Sequence, residues 1–390
     1  YWRLQSQPHL DDADTTAEKL RELLEDIAVR QLQSDVPIGT LLSGGLDSSI
    51  LTALAARAVK GSPLSTFSVD YRDSSRYFVA NQFETNPDGP WIQTVSKYLG
   101  TDHHSIVLDN HDLPDALPHA MQAADIPGMT DIDASLLLFC REIKKKVTVA
   151  LSGECADEVF GGYPWFHNPA AASEKGFPWV RMVEQRSEFL SPEIGNLIRP
   201  REYALDRYHQ ARAEVPRLPG ENPADAQIRE VFYLNITRFM PTLLDRKDRM
   251  SMACGLEVRV PYSDHRLVEY VWNIPWSFKN YGGLPKGILR YAAKGLLPDE
   301  VLMRQKSPYP KTHHPIYREI IKAQLEQVLN NPDSPLLNLV QPEKLLEMLR
   351  SNRLLMDKPW FGQLMGDTQY MAYLLQVNRW LEHYKVELCL

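Results

Sequence analysis

Cysteine is scarce in this chain and forms no pattern. Cys140, Cys155, Cys254 and Cys389 include no CxxC pair. Neither a disulfide framework nor a cysteine metal site is expected, and reduced thiols in a cytoplasmic protein are the simplest reading. Long apolar runs are missing too. No stretch nears the roughly 20 residues that span a bilayer, and no signal peptide is visible, so no membrane partner is expected. Basic residues are not in excess. The 43 Lys and Arg against 50 Asp and Glu leave a net charge of −7, which argues against nucleic acid or an anionic surface as partner. Internal repeats and low-complexity tracts are absent. The most telling absence is local: the glycine-rich run LLSGGLDSS, residues 41–49, lacks the lysine of GxxxxGK[ST].

In the lysine's place stand the hydroxyls Ser43, Ser48 and Ser49 and one carboxylate, Asp47. A short apolar segment precedes the run and a helix-like one follows. Such a turn points successive backbone N–H groups into one concavity, and the helix start adds partial positive charge, so it suits phosphate. A carboxylate beside phosphates makes sense when a divalent cation lies between them. The run therefore reads as a pyrophosphate-and-magnesium loop, not a γ-phosphate loop.

Residues 1–12 are polar and aperiodic, like a linker, and a single domain is expected over 13–390. Thr15 and Glu18 have capping-box spacing. Leu20, Leu23, Leu24, Ile27 and Leu32 follow at roughly helical spacing. Buried strands are expected at 38–42, 64–69, 104–108 and 147–151. Helices are expected from the glycine-rich loop through Ala58, at 91–99 and at 134–146. This alternation predicts an α/β fold, a doubly wound parallel sheet with helices on both faces. Ligands then lie beyond the carboxyl ends of strands, where the loops after Leu42 and Leu151 both fall. Beyond Trp165 strand signals fade into a largely helical C-terminal part. Residues 71–90 read as a long polar loop, of the kind that serves as a lid.

The second loop, LSGECADEVFGGY at 151–163, offers Ser152 and Gly153 for backbone contacts, then the carboxylates Glu154, Asp157 and Glu158. Facing the first loop, Asp47 and Asp157 would share a magnesium across the phosphates. Glu154 would act as a base or orient a nucleophile. Taken alone, this loop is equally a polar turn with a capping Asp. Its pairing with SGGLDSS at a second strand–loop–helix junction favours a site.

SGGLDSS, LSGECADEVFGGY, LDRKDRMSMACGLEVRVPYSDHRL and KGILRYAAKGLLPDEVLMRQK occur in this order. Together they resemble the synthetase domain of glutamine-hydrolysing asparagine synthetases, a branch of the N-type ATP pyrophosphatases with an adenine nucleotide alpha hydrolase-like fold. The likeness runs from about Tyr1 to Lys306. It implies ATP and Mg2+ as cofactors, activation of a carboxylate as its adenylate, and displacement of AMP by ammonia. It also implies contacts position by position. Leu42 and Val69 would meet adenosine. Ser43, Gly44, Gly45, Ser48 and Ser49 would hold pyrophosphate, and Ser152 and Gly153 would line the nucleotide. Asp47 and Asp157 would hold magnesium. Glu154 would act around the acyl-adenylate, and Lys306 would stabilise charge on phosphorus and on the departing pyrophosphate.

Two stretches depart from the family pattern. MTDIDAS puts Thr130, Asp131 and Asp133 at the expected acceptor side, and SPYPKTHHP follows Lys306. Two anions there would repel a free carboxylate and favour an ammonium group. The acceptor is most simply aspartate. A larger amino-acid-bearing carboxylate such as cell-wall diaminopimelate is the alternative, and a silent nucleotide-binding regulatory module is a third reading. The chain opens on Tyr1, not on the catalytic cysteine of the family's glutaminase domain. That domain is expected upstream in cis or in trans as a partner, and a homodimer stays open. Cys155, where the family usually has glycine, reads as structural. His103 and His104, adjacent in a strand, point to opposite faces and suit a metal poorly. His313 and His314 read as surface or lid. The cluster Asp245, Arg246, Lys247, Asp248 and Arg249 reads equally as a substrate contact or an ion-pair network. Glu257, Arg259 and Asp264 read as bracing.

Overall fold

A computed structural model describes residues 2–59, 61–79, 86–167 and 176–387. Five strands form one sheet: β1 (Ile38–Leu41), β2 (Ser65–Tyr71), β3 (Asp102–Leu108), β4 (Val149–Leu151) and β5 (Glu257–Arg259). Their order is β3-β2-β1-β4-β5, and every pairing is parallel. β1 is central, with Gly39 opposite Ser65 on one side and Ala150 on the other. The chain order reverses between β1 and β4, which makes that gap the switch point where ligands bind in such sheets.

Helices that bear on the site are α1 (Ala13–Gln31), α2 (Leu46–Ala58), α3 (Gly89–Leu99), α4 (Asp112–Ala124), α5 (Asp131–Lys144), α6 (Ala156–Phe160), α7 (Met240–Met252), α8 (Gly287–Ala292), α9 (Pro315–Asn330) and α10 (Asp367–Tyr384). Two cores cover the two faces of the sheet. One joins Leu20, Ile27, Ile50, Val95, Phe160 and Ile288. The other joins Leu113, Ile132, Leu136, Ile143, Ile321 and Leu375. The sheet is thus doubly wound, as its alternation predicts. Among the described residues no helix is long and apolar enough to cross a membrane.

Several local expectations are corrected. α1 is capped by Asp12, whose Oδ1 accepts from Thr15 N at 2.8 Å, and not by a Thr15–Glu18 box. Asp12 wins because its short carboxylate reaches the first free N–H groups one turn earlier. α5 starts at Asp131, three residues ahead of the expected 134, so Asp131 and Asp133 form its acidic first turn, where the helix dipole favours carboxylates. α4 was not read from the sequence; Pro114 and the internal Pro118 disguise it. β5 extends the sheet beyond Trp165, so Glu257 and Arg259 are strand residues. The stretch 71–90 holds a helical turn, Ser74–Tyr77, and residues 80–85 of the expected lid lie outside the described residues, as does Cys389. The N-terminal segment is docked. Leu4 is buried, and Gln7 N donates to Asn273 Oδ1 at 2.7 Å.

Candidate active site

The turn after β1 passes through Ser43, Gly44 and Gly45 into α2. Gly44 has φ +69, and an added Cβ would lie 2.8 Å from Trp91 Cβ and from the backbone nitrogen of Ile92, so only glycine fits. Gly45 caps α2 without a side-chain bond, which leaves first-turn N–H groups open to a ligand. Ser48 Oγ accepts from Ser43 N at 3.2 Å and lies 3.0 Å from Ser43 Oγ, so the hydroxyls brace one another. The turn after β4 presses on the same helix: a Cβ on Gly153 would lie 2.7 Å from Ser48 N.

A cavity of about 190 Å³ opens between the two turns. Leu42, Ser43, Gly45, Asp47, Ser48, Val69, Ser152, Gly153, Glu154, Asp157 and Lys306 all line it. Gly44 and Ser49 do not. Ser49 N donates to Gly45 O at 3.0 Å within the helix, and its buried Oγ has no partner among the described residues. Five cationic side chains, Lys247, Lys286, Arg290, Arg304 and Lys306, face four carboxylates, Asp47, Asp88, Glu154 and Asp157.

Lys286 is the residue that sequence reasoning missed. It is 3% exposed, yet its Nζ donates to Asp47 Oδ1 at 2.8 Å, to Asp47 Oδ2 at 2.6 Å and to Asp157 Oδ1 at 2.8 Å. Lys306 Nζ donates to Asp157 Oδ2. Burial alone would raise the Asp157 carboxyl, but Lys286 and Lys306 overcome it and hold it well below the usual carboxylate range. Burial raises the Asp47 carboxyl against the pull of Lys286. Burial also opposes the charge of Lys286, yet Asp157 and Asp47 raise its pKa. The signal was present in KGILR, inside a matched stretch. Lys286 takes φ +56, a left-handed backbone uncommon for lysine and worth a functional question. Lys306 also lies 4.7 Å over the ring of Tyr163, itself stacked 4.4 Å from Trp165.

Arg290 and Arg304 brace this side. Arg290 donates to Pro285 O at 2.8 Å and to Leu302 O and Arg304 O. Arg304 donates to Ser43 O at 3.1 Å and pairs with Asp88. The segment after Lys306 is ordered against the sheet: Ser307, Pro308, Tyr309 and Pro310 line the cavity, and Tyr71 OH donates to Pro310 O at 3.1 Å.

At the far end, Glu154 Oε1 lies 3.4 Å from Lys247 Nζ and 3.8 Å from Arg246 Nη1, and its buried Oε2 has no partner. Arg246 reaches Asp133 Oδ1 at 3.1 Å and lies over the Tyr309 ring. The cluster 245–249 therefore splits. Arg246 and Lys247 are buried behind Glu154, while Asp245 and Arg249 pair at the surface. Thr130, Asp131 and Asp133 do not line the cavity. Asp131 accepts from Thr130 Oγ1 at 2.9 Å and from Gln369 Nε2 of α10 at 3.1 Å. Asp133 accepts from Met129 N at 2.6 Å. Burial pushes the Asp133 carboxyl up to about 6, against Arg246.

The other candidates are occupied elsewhere. His103 bridges Thr66 and Ser68 at 2.9 and 3.0 Å, while His104 pairs with Asp102 at 3.1 Å. His314 caps α9, its Nδ1 accepting from Ile316 N at 3.1 Å, and His313 packs on Phe78. Arg259 donates to Gln31 O, and Asp264 caps the next helix. Cys155, buried at φ +74, forms the turn into α6, and burial raises its thiol.

A family profile described as "Asparagine synthase" matches residues 19–382. "Asparagine synthetase [glutamine-hydrolyzing] 3" of Bacillus subtilis (strain 168) is 49% identical over 391 residues, covering 100% of this chain and 63% of that protein. "Asparagine synthetase [glutamine-hydrolyzing] 1" of the same organism is 29% identical, over 80% of this chain and 52% of that protein. The Mus musculus "Asparagine synthetase [glutamine-hydrolyzing]" is 28% identical, over 76% and 44% respectively. The chain thus spans less than two thirds of the length of these relatives.

Proposed function

The chain belongs to the asparagine synthase family, and on that premise we propose that it carries the amide-forming chemistry of such an enzyme. ATP activates a carboxylate as its acyl-adenylate with release of pyrophosphate, and ammonia displaces AMP. The acceptor is most simply L-aspartate, giving L-asparagine. The observation that carries this reading is the convergence of Asp47, Glu154, Asp157 and Lys306 on one cavity at the switch point.

In this reading Leu42 and Val69 flank adenosine. Ser43, Gly45, Ser48 and the open start of α2 receive the pyrophosphate, and Ser152 and Gly153 line the nucleotide. Gly44 and Ser49 shape the loop from behind. Asp47 and Asp157 would hold Mg2+. Their fit to it rests on their already sharing one cation, the Lys286 ammonium, and on two carboxylates completed by phosphate oxygens and water being a magnesium donor set. When bound, the ion would neutralise charge on the phosphates. Lys306 stabilises the charge that develops on the departing pyrophosphate. Glu154, with one oxygen unpartnered, orients ammonia and takes up a proton from it.

Two rival readings lose support. The case for a larger acceptor drew on Asp131 and Asp133, but both lie outside the cavity lining, and Arg246 pairs with Asp133. A silent module has no need of a lysine at the leaving group. Ammonia reaches this chain from a glutaminase unit in cis or in trans. The test uses the purified chain with ATP, Mg2+ and ammonium, scoring amide and pyrophosphate for aspartate, glutamate and meso-diaminopimelate. Aspartate should be the best acceptor, and glutamine should not replace ammonium. A strong preference for diaminopimelate would support the alternative acceptor, and no turnover with any of them would support the silent module.

A further inference from the structure

A second cavity, of about 270 Å³, shares no lining residue with the first. It lies under the N-terminal segment, between residues 218–232 and 272–279. Lys279 reaches into it while only 3% exposed. Its Nζ lies 4.2 Å over the ring of Phe232 and donates one long bond, 3.4 Å, to Trp272 O. No carboxylate among the described residues pairs with it. The other charged groups at the cavity already have partners. Arg229 and Glu221 form a buried pair at 2.8 Å, and Asp225 accepts from Asn222 at 2.6 Å. His9 shares a 2.8 Å bond with Thr16 Oγ1, and burial lowers its pKa. Lys279 is left with no carboxylate in hydrogen-bond reach, in a cavity lined by both aromatic and polar side chains, with Glu221 acting on it from a distance. Burial, aided by Arg229, pushes its ammonium well below the ordinary value. A buried charge is costly unless a counter-charge meets it, and the ring of Phe232 supplies only part of one.

The walls are indole rings, Trp272 and Trp276, and the roof is the N-terminal segment. Ser6 Oγ accepts from Trp272 Nε1 at 3.1 Å and from Arg229 Nη1 at 3.3 Å, so the roof is tied to both the apolar wall and the charged one. We propose that this cavity binds a small organic monocarboxylate with an apolar body, its carboxylate paired with Lys279 and its body against Trp272 and Trp276. The volume suits a single-ring acid, and an ammonium with no carboxylate in hydrogen-bond reach suits one carboxylate. The site is separate from the proposed amide-forming one, and its occupant bridges the N-terminal segment to the helical part.

Benzoate is the probe, read by tryptophan fluorescence of the whole chain, with benzamide as the neutral control of equal shape and inorganic phosphate as the anion without an apolar body. Benzoate should give a saturable change that saturating Mg-ATP does not displace. Benzamide and phosphate should bind at least tenfold more weakly. Lys279→Met, which keeps length and removes charge, should weaken benzoate at least tenfold while circular dichroism stays unchanged. Equal binding of benzoate and benzamide to the native chain, displacement of benzoate by Mg-ATP, or unchanged affinity in a folded Lys279→Met protein would each overturn the proposal. The benzamide comparison needs no variant, so it decides the matter even if Lys279→Met does not fold.

Discussion

The two walls of the switch-point cavity are built differently. The sheet wall supplies carboxylates on turns that local chemistry fixes. Asp47 follows a turn that only glycine at 44 allows, and Glu154 and Asp157 follow Gly153, whose bare Cα lets the second turn press on α2. The helical wall supplies cations from separated segments. Lys247 comes from α7, Lys286 from the entry to α8, and Lys306 from the stretch beyond it. Only packing brings these together, and Arg290 does much of it by donating to carbonyls on both sides of the gap. An anionic wall written in contiguous motifs thus meets a cationic wall assembled at long range.

Removing the cation that joins the walls should have the largest effect. Lys286→Met leaves Asp47 without its ion-pair partner and Asp157 with Lys306 alone, a loss of about 3–5 kcal/mol for a broken buried pair. Urea unfolding should show it, and added Mg2+ should recover part of the loss by replacing the ammonium. If the variant is as stable as the native chain without Mg2+, the walls are not joined through Lys286. Lys306→Ala should cut pyrophosphate release by about a hundredfold or more, with far less effect on stability, because its proposed task is charge on the leaving group. Full release by that variant would remove Lys306 from the chemistry.

A smaller effect separates the acidic start of α5 from the cavity. Asp133 is raised in the fold to about 6 from 3.8, so the native state holds the extra proton. Its contribution to stability is complete below about pH 3.8 and is lost as pH rises through 6, at most ~3 kcal/mol from about 1.4 kcal/mol per unit. Asp157, shifted the other way, loses its contribution only at lower pH, so the two windows are distinct. Unfolding free energies at pH 4.5 and 6.5 should differ less in Asp133→Asn than in the native chain. An unchanged difference would show that Asp133 does not carry the slope. The smallest effect concerns Tyr163, the ring beneath Lys306. Tyr163→Leu should lower pyrophosphate release about 3- to 30-fold, as loss of a cation–π contact implies, while Tyr163→Phe keeps the ring and most of the rate.

The same contrast explains what could be read beforehand. The central strands and both loop motifs follow from apolar runs and glycine-rich turns, which are local signals. The two facing loops brought Asp47, Glu154 and Asp157 together, and the family resemblance added Lys306. Lys286 was missed, since its partners, like that of Lys306, are more than a hundred residues away in the chain and no part of the resemblance gave it a role. α4 was hidden because Pro114 and Pro118 read as breakers. Asp131 and Asp133 were expected near the acceptor because MTDIDAS stands where the family pattern has its acceptor-side residues. The helix they start turns Asp131 toward Gln369 of α10 instead, a contact that no local pattern encodes.

The central claim is that these two walls form one site that cleaves ATP between the α- and β-phosphates. Chromatography of nucleotide products from the purified chain with ATP, Mg2+, ammonium and aspartate tests it most directly. AMP and pyrophosphate should appear in equal amounts, matched by asparagine and formed at least about a hundredfold more slowly in Lys306→Ala. ADP and inorganic phosphate as the products would contradict it.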